Sequence, residues 1–420
     1  MDFTLPAGVT TFLEEVDEFI AAKIEPLQAQ HQQFFDHRRE WARTDWEAGG
    51  IPSAAWEDLL DQMRDLADAA GFYRYALPED VGGSGAGNLE LAIVREHLAA
   101  KGLGLHNDLQ NESSVVANLP FAHIVHRFGT PDQVAELLEP MISGGAFVGF
   151  ALTEPDHGSD ATWMETRAVR DGDDWVIDGA KRWNSGVNRA THDVVFARTS
   201  GSDGDALGIT AFVVPMTTPG LEITSYDWTF NMPTDHANVR LDAVRVPDAA
   251  ILGGEGQGLT IAQAFVHENR IRQAASSLGA AQYCIDRSVA RANERITFGQ
   301  PLSRRQAVQW PLVELQTEAE MVRGLVRKAA WMLDRVDDPI EVSDIVAMAN
   351  YRANRLVCEA ADRAIQVFGG EGYSRNQPFE HIYRHHRRYR ITEGSEEIQM
   401  RKVAGYLFGF AGPRKVAPPA

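Results

Sequence analysis

Residues 165–183 read ETRAVRDGDDWVIDGAKRW, the clearest strand pattern in the chain. Apolar and polar side chains alternate on both sides of a turn rich in Gly and Asp, which predicts a hairpin of two half-buried strands. Segments with the same period of two follow, separated by Gly, Pro and Asp: HDVVFART, ITAFVVPM, LEITSYDW and ANVRLDAVRVP. Together they predict an antiparallel sheet or small barrel of about 100 residues.

On either side of this region the period is helical. Upstream, Phe12, Val16, Phe19 and Ile20 recur every three or four positions. From about residue 257 the helical period returns in three long stretches, whose lengths are typical of an antiparallel helix bundle. We therefore predict an α+β protein, mainly α, in three parts: a helical domain at 1–147, a β domain at 148–253 and a C-terminal helical bundle at 254–420.

Composition excludes several classes of protein. The formal net charge of -19 argues against a nucleic-acid partner, because binding phosphates requires concentrated positive charge. Cys284 and Cys358 are the two cysteines and both lie in helical patterns, so we expect no disulfide and a reducing cytoplasm. We expect no signal peptide, because no basic segment followed by an apolar run opens the chain, and no membrane insertion.

Near the C-terminus, residues 391–400 read ITEGSEEIQM and place three carboxylates around a Gly-Ser pair. One of them could act as a catalytic base, or all three could form the acidic first turn of a surface helix. The local sequence leaves both interpretations open. A helix that begins after Gly394 would be capped by Ser395 and would carry Glu396 and Glu397 in its acidic first turn.

Four stretches, in this order and on this helix–sheet–helix plan, resemble the acyl-CoA dehydrogenase family: FALTEPDHGSD (150–160), KRWNSG (181–186), ERITFGQPLSRRQA (294–307), and QVFGGEGYSRNQPFEHIYR with ITEGSEEIQ (366–399). The resemblance covers nearly the whole chain. It implies the family's fold, FAD bound between the β domain and the C-terminal bundle, and a homotetramer built as a dimer of dimers. It also implies an acyl-CoA substrate and an electron-transfer flavoprotein as electron acceptor.

The resemblance also implies which residues contact FAD. Trp183 matches the aromatic residue that flanks the isoalloxazine ring, and Ser185 matches the hydroxyl near flavin N5. Arg295 matches a contact to the FAD of a neighbouring subunit, where a guanidinium suits a pyrophosphate. From the residues alone, Trp183 could be a core aromatic and Arg295 could pair with Glu294. The full set of expected FAD contacts is Phe150, Leu152, Thr153, Gly158, Ser159, Trp183, Ser185, Arg295, Phe298, Gln306, Gln366, Gly369, Gly370, Ser395 and Glu397.

In the same way, Glu393 occupies the position of the family's catalytic base, in T-E-G-S where the common form is Y-E-G-T. We expect its carboxylate to be buried, to take the α-proton of an acyl-CoA, and its backbone N–H to bind the thioester oxygen. Ser159, Arg270 and Gly394 match substrate contacts. From the residues alone, Arg270 could instead be a helix-surface arginine paired with Glu268 or Glu294. Some relatives carry the base directly before the arginine that corresponds to Arg270, but Asn269 stands there in this chain.

Two departures from the family pattern stand out. Thr392 replaces the tyrosine before the base, and the usual Arg-Asp pair reads Arg384-His385 inside the basic run YRHHRRYR. We expect this run to pack at a subunit interface or against acidic neighbours; a metal shared by His381 and His385 finds no further ligand signal.

The functional alternatives are an acyl-CoA oxidase, a flavin monooxygenase on the same fold, and a catalytically silent subunit of a heteromeric dehydrogenase. The monooxygenases lack the base, so Glu393 speaks against them. A silent subunit tends to lose the base or the FAD contacts, whereas this chain keeps both.

Overall fold

The computed structural model describes residues 4–36, 39–107 and 113–410. The chain forms two compact units. One, here called the helical unit, comprises Met1–Arg39, Gln62–Asn118 and His267–Ala420. The other, the sheet unit, comprises Glu40–Asp61 and Leu119–Val266.

The helices lie in two groups along the chain, before and after the strands of the large sheet. Those before it are α1 (Ala7–Phe19), α2 (Glu25–Gln30), α3 (Arg39–Arg43), α4 (Ala54–Ala69), α5 (Asn88–Ala100), α6 (Pro120–Phe128) and α7 (Pro131–Ser143). Those after it are α8 (Gly258–Glu294), α9 (Gln306–Leu333), α10 (Ser343–Phe368), α11 (Gly370–Tyr373), α12 (Phe379–Arg388) and α13 (Glu396–Leu407). A π-helical turn, Ile20–Ile24, joins α1 to α2.

Two short strands precede the large sheet and two follow it. The strands in chain order are β1 (Thr44–Asp45), β2 (Ile51–Pro52), β3 (Val148–Ala151), β4 (Arg167–Asp171), β5 (Asp174–Ser185), β6 (His192–Arg198), β7 (Ile209–Pro215), β8 (Leu221–Tyr226), β9 (His236–Pro247), β10 (Ile251–Leu252), β11 (Ile296–Thr297) and β12 (Gln300–Pro301).

The large sheet has the strand order β10-β7-β6-β4-β5-β9-β8, with β3 pairing with β6 outside this path. The hairpin predicted from residues 165–183 is β4–β5, antiparallel from Arg167 opposite Asp178 to Asp171 opposite Asp174. The sheet is mainly antiparallel, as predicted, and the exceptions are β3 and β4, which both run parallel to β6. A parallel pair needs a long crossover, and the chain between Ala151 and His192 supplies one.

Strand alternation builds two cores in the sheet unit. Val194 and Phe196 of β6 pack with apolar residues of α6, α7 and the start of α8. Val195 and Ala197 point to the opposite face, where they pack with Trp175. Because successive side chains of a strand point to opposite faces of the sheet, a strand such as β6 contributes residues to both cores.

The core of the helical unit lies mainly among α8, α9 and α10, and small residues set its close packing. A Cβ on Gly279 of α8 would lie 2.1 Å from the carbonyl oxygen of Glu96 on α5. Only glycine permits these two backbones to approach so closely. The three long helical patterns predicted from the sequence correspond to α8, α9 and α10.

None of the described helices combines the length and apolar character needed to cross a bilayer. The predicted mixture of flanking helices and a central sheet is confirmed. The predicted division at residues 147 and 253 stays a prediction.

Candidate active site

In the helical unit, Glu393 lies in the short connection between α12 and α13, on a backbone turn that few side chains adopt. Its φ is +55°, and that of the following Gly394 is +83°. A left-handed conformation outside glycine costs about 1–3 kcal/mol and persists where surrounding contacts impose it. The Glu393 side chain is half-buried in the protein alone, and its expected burial between flavin and substrate stays a prediction.

Arg270 of α8 imposes this turn. Its Nε and Nη2 donate to the carbonyl oxygen of Glu393 at 3.0 and 2.5 Å. A Cβ on Gly394 would lie 2.9 Å from Arg270 Nη2, so glycine leaves room for the guanidinium. Arg270 is therefore not a surface arginine paired with Glu268 or Glu294: it is 7% exposed and binds the backbone of the expected base.

Burial lowers the pKa of Arg270 to about 10, while the Glu393 carboxylate acts in the opposite direction. Arg270 therefore keeps its positive charge at neutral pH. The peptide group that it binds includes the N–H of Gly394, and a polarised carbonyl makes the N–H of the same peptide a stronger donor.

A buried polar network holds the two chain segments on either side of this contact. Asn350 of α10 donates to the carbonyl oxygen of Arg270 at 2.9 Å. One turn later, Asn354 donates to Asn350 Oδ1 and to the carbonyl oxygen of Tyr389, both at 3.0 Å. Gln399 of α13 donates to the Gly394 carbonyl at 2.8 Å. The base segment is thus tied to α8, α10 and α13.

The other two glutamates of this stretch lie in the first turn of α13, as predicted. Glu396 is buried and accepts from Arg390 at 2.8 Å and from Arg355 at 3.0 Å. These bonds, chiefly that of Arg390, lower the pKa of Glu396 to about 2. Ser395 occupies the N-cap position, but the predicted side-chain cap is wrong, since its hydroxyl makes no cap hydrogen bond. Glu397 is exposed.

The basic run lies on α12 and its C-terminal end. Arg384 pairs with Glu380 at 2.6 Å and Arg390 with Glu396, which agrees with the expectation of acidic neighbours. His385 is fully buried, and its Nε2 lies 3.0 Å from the hydroxyl of Tyr389. Burial holds the pKa of His385 well below its usual value. No three His, Cys, Asp or Glu residues cluster as a metal site in the described part of the chain.

In the sheet unit, hydrogen bonds join the end of β3 and the residues that follow it to the C-terminal part of β5. The Phe150 N–H donates to Asn184 Oδ1 at 3.1 Å, and the Thr153 carbonyl accepts from the Arg182 N–H at 2.9 Å. Lys181 Nζ lies 3.4 Å from the Leu152 carbonyl oxygen. The Phe150 ring itself stacks on Phe265 with centroids 4.2 Å apart, so that side chain belongs to the core.

Beneath this segment lies a buried ion pair. Lys181 Nζ is 2.8 Å from Glu154 Oε1, and the two side chains are 0% and 3% exposed. Glu154 also accepts from the backbone N–H groups of Glu165 and Thr166 at 2.6 and 2.9 Å. Burial lowers the pKa of Lys181 to about 8, against the attraction of Glu154.

A second buried carboxyl lies beside the pair. Asn184 Nδ2 donates to Asp193 Oδ2 at 2.5 Å, and Asp193 Oδ1 has no hydrogen-bond partner among the described residues. Burial raises the pKa of Asp193 to about 7. Neither of these partners of the β3 loop was predicted. Strict alternation would place Lys181 and Asn184 on opposite faces, and both are buried because the register of β5 shifts between them.

At the end of β5 the chain presents Trp183 outward. Its φ is +59°, its side chain is 47% exposed, and the Arg182 guanidinium lies 4.7 Å from the centroid of its ring. Trp183 is therefore not a core aromatic. Two residues later, Ser185 is exposed and its Oγ lies 2.6 Å from His236 Nδ1. The sequence contained no signal for His236.

The loop after Glu154 carries free backbone donors. Gly158 and Ser159 are exposed, and their N–H groups donate to no described residue. The loop is closed by Asp160, whose Oδ1 accepts from the Thr162 N–H at 3.2 Å.

The remaining predicted FAD contacts lie on the surface of the helical unit. Phe298 is 94% exposed on the β11–β12 hairpin, with φ +49°. Arg295 is also exposed and makes no ion pair with a described residue, so the alternative pairing with Glu294 is not present. The other exposed members of this set are Gln306, Gln366, Gly369 and Gly370.

Known proteins resemble this chain over nearly its whole length. The N-terminal, middle and C-terminal domains of acyl-CoA dehydrogenases match residues 9–145, 149–244 and 256–408. The probable acyl-CoA dehydrogenase FadE2 of Mycobacterium tuberculosis is 31% identical over 96% of both chains. The human mitochondrial short-chain specific acyl-CoA dehydrogenase is 34% identical over 80% of both. The structure of butyryl-CoA dehydrogenase from Megasphaera elsdenii matches with a TM-score of 0.80 and 28% identity, covering 97% of this chain and all of that one. The chain belongs to the acyl-CoA dehydrogenase family.

Proposed function

We propose that this protein is an FAD-dependent acyl-CoA dehydrogenase that converts an acyl-CoA thioester to the trans-2-enoyl-CoA. The observation that carries the proposal is the strained turn at Glu393, held by two hydrogen bonds from the buried Arg270. A strained backbone that is held in place by a buried side chain such as Arg270 is typical of functional segments.

The residues of the sheet unit fit a flavin. A flavin needs donors for its pyrophosphate and polar ring edge, and an aromatic or apolar contact on its face. Free N–H groups of Gly158 and Ser159, the outward ring of Trp183 and the exposed hydroxyl of Ser185 supply these types of group. When bound, the flavin supplies the two-electron acceptor that takes the β-hydrogen of the substrate as hydride.

Glu393 accepts the α-proton of the acyl-CoA on its carboxylate. Its own backbone N–H donates to the thioester oxygen, where negative charge develops as the proton leaves, and donors placed there stabilise the enolate-like transition state. Gly394 and Arg270 maintain the backbone turn on which both tasks depend. Ser159, with Gly394 and Arg270, completes the expected set of substrate contacts.

The proposed partners follow from the same assignment. An electron-transfer flavoprotein accepts the electrons from the reduced flavin. The protein assembles as a homotetramer, in which the exposed Phe298 and Arg295 contact the FAD of a neighbouring subunit. The 94% exposure of Phe298 leaves its ring accessible for such a contact.

The test is anaerobic bleaching of the flavin by a panel of acyl-CoA thioesters that differ in chain length and branching. We expect the purified protein to take up FAD and at least one thioester to bleach it. Glu393→Gln should reduce the bleaching rate by orders of magnitude. Glu359→Gln, which removes an exposed carboxylate on α10, is the matched control and should bleach like the wild type.

Bleaching of Glu393→Gln at the wild-type rate would exclude Glu393 as the base. A protein that cannot be loaded with FAD would contradict the whole proposal. Reoxidation of the bleached enzyme by air faster than by an electron-transfer flavoprotein would indicate an acyl-CoA oxidase instead.

A further inference from the structure

The hydroxyl of Ser185 shares a short hydrogen bond with a histidine on the neighbouring strand. Ser185 ends β5 and His236 begins β9, and the two residues are direct partners in the antiparallel register. Their Oγ and Nδ1 atoms are 2.6 Å apart. The Asp235 carboxylate lies 3.5 Å from the same ring nitrogen. His236 and Asp235 are largely buried, with side chains 16% and 24% exposed.

One ring nitrogen therefore faces two oxygens, and its protonation decides the direction of the bond to Ser185. A neutral imidazole with a bare Nδ1 accepts the hydroxyl proton of Ser185. An imidazolium carries a proton on both ring nitrogens, so Nδ1 can then donate to Asp235 and Ser185 Oγ. In that state the Ser185 O–H is released and can donate to another group.

We propose that His236 is a positioning residue that sets whether Ser185 donates or accepts a hydrogen bond toward the flavin. The inference rests on the proposed function, which places the Ser185 hydroxyl near flavin N5. A hydroxyl that donates stabilises electron density on its partner, whereas one that accepts requires a donor there. Histidine is suited to this role because its charge changes between about pH 5 and 8.

Charged side chains lie near His236, beginning with the Asp235 carboxylate. Asp235 is itself close to Glu57 of α4, whose own charge is balanced by Arg189. On the strand side, Asp227 is engaged by Arg182 at 3.2 Å. Asp235 also interacts electrostatically with Tyr226, and Glu57 interacts with Asp61 as well as with Arg189.

The test combines a measurement on the protein itself with one on the bound cofactor. Nitrogen-15 NMR of His236 gives the state of Nδ1 as a function of pH, before and after FAD is added. The absorbance spectrum of the bound flavin over the same range, about pH 5 to 8, reports on its hydrogen bonds. Neither readout requires a substrate or turnover.

Two variants distinguish the contribution of His236 from that of Ser185. His236→Asn places an amide near the position of Nδ1 but does not titrate, and Ser185→Ala removes the hydroxyl while His236 still titrates. His192→Asn is the matched control, because His192 Nδ1 also contacts a hydroxyl, that of Thr191 at 3.0 Å, on β6 of the same unit.

We expect the wild-type flavin spectrum to shift with the midpoint of the His236 titration, and the shift to be lost in both Ser185→Ala and His236→Asn. His192→Asn should keep it. We also expect Ser185→Ala to move the His236 titration midpoint. A spectrum that is independent of pH while His236 titrates, or a shift that persists in both variants, would overturn the inference and leave the proposed function intact. Failure of the wild type to take up FAD would overturn both.

Discussion

The buried ion pair of Lys181 and Glu154 allows a prediction whose size can be worked from the structure. Burial lowers the pKa of Lys181 from 10.5 to about 8, a difference of about 2.5 units, or about 3–4 kcal/mol at about 1.4 kcal/mol per unit. This is the net cost of keeping the ammonium charged inside the sheet unit after the attraction of Glu154 is included. Removing Lys181 alone relieves that cost but leaves the Glu154 carboxylate buried without its cation.

We therefore expect Lys181→Met to lower the free energy of unfolding at pH 7 by about 3–5 kcal/mol, the usual effect of breaking a buried pair from one side. The double variant Glu154→Gln with Lys181→Met removes both charges and should recover most of this loss. In the wild type, the folded state releases the Lys181 proton above about pH 8, while the unfolded chain holds it to about pH 10.4. Between these values the unfolded state binds more protons, so this group makes stability rise with pH.

The assay is urea unfolding of the protein without cofactor, at pH 7 and at several values above pH 8. Arg240→Met is the matched control, since Arg240 pairs with Glu222 at 2.5 Å on the same sheet with both side chains more than half exposed. An exposed pair contributes about 0–1 kcal/mol. The reasoning fails if Lys181→Met costs no more than Arg240→Met, or if adding Glu154→Gln makes the protein less stable than Lys181→Met alone.

Three further predictions concern the turn and strand ends of the site. Gly394→Ala places a methyl group at a φ of +83° and against Arg270, so we expect the free energy of unfolding in urea to fall by about 1 kcal/mol or more. We also expect slower flavin bleaching in stopped-flow absorbance, and an unchanged bleaching rate would argue against the Arg270 contact. Trp183→Gly removes the strain of a tryptophan at positive φ, so the free energy of unfolding of the apoprotein should rise by up to about 1 kcal/mol. The same variant should bind FAD more weakly, and an unchanged FAD affinity by titration would exclude the flavin contact. Glu396 has its pKa lowered to about 2, so its stabilising effect is complete above its ordinary value of 4.5 and is lost as pH falls toward 2. Glu396→Gln should flatten the acid limb of the stability profile over that window, and an unchanged acid limb in thermal unfolding would contradict the assignment.

Hydrophobic periodicity was sufficient to predict the classes of element. The three long helical patterns became α8, α9 and α10, and the stretch at 165–183 became the β4–β5 hairpin. Both outcomes depend on local spacing, because a buried face repeats every 3.6 residues on a helix and every two on a strand. The acidic first turn of α13 was predicted for the same reason, since its electrostatic benefit depends only on position along the helix.

Contacts between distant segments could not be predicted from spacing. Arg270 and Glu393 are separated by 123 positions, and nothing local to either residue indicates that a guanidinium will bind a backbone carbonyl. The same holds for Ser185 with His236 and for Lys181 with Glu154. Ser395 shows the converse: its position predicted a cap, but the geometry of the turn leaves its hydroxyl without that bond.

Residue patterns along the chain were thus enough to predict the order of helices and strands, the family, and the position of Glu393 as the expected base. The left-handed turn held by Arg270 and the buried ion pair that supports the loop after β3 were visible only in the folded protein. Periodicity records which face of an element is buried. Hydrogen bonds and ion pairs between elements depend instead on register and on atomic distances that arise when the chain has folded.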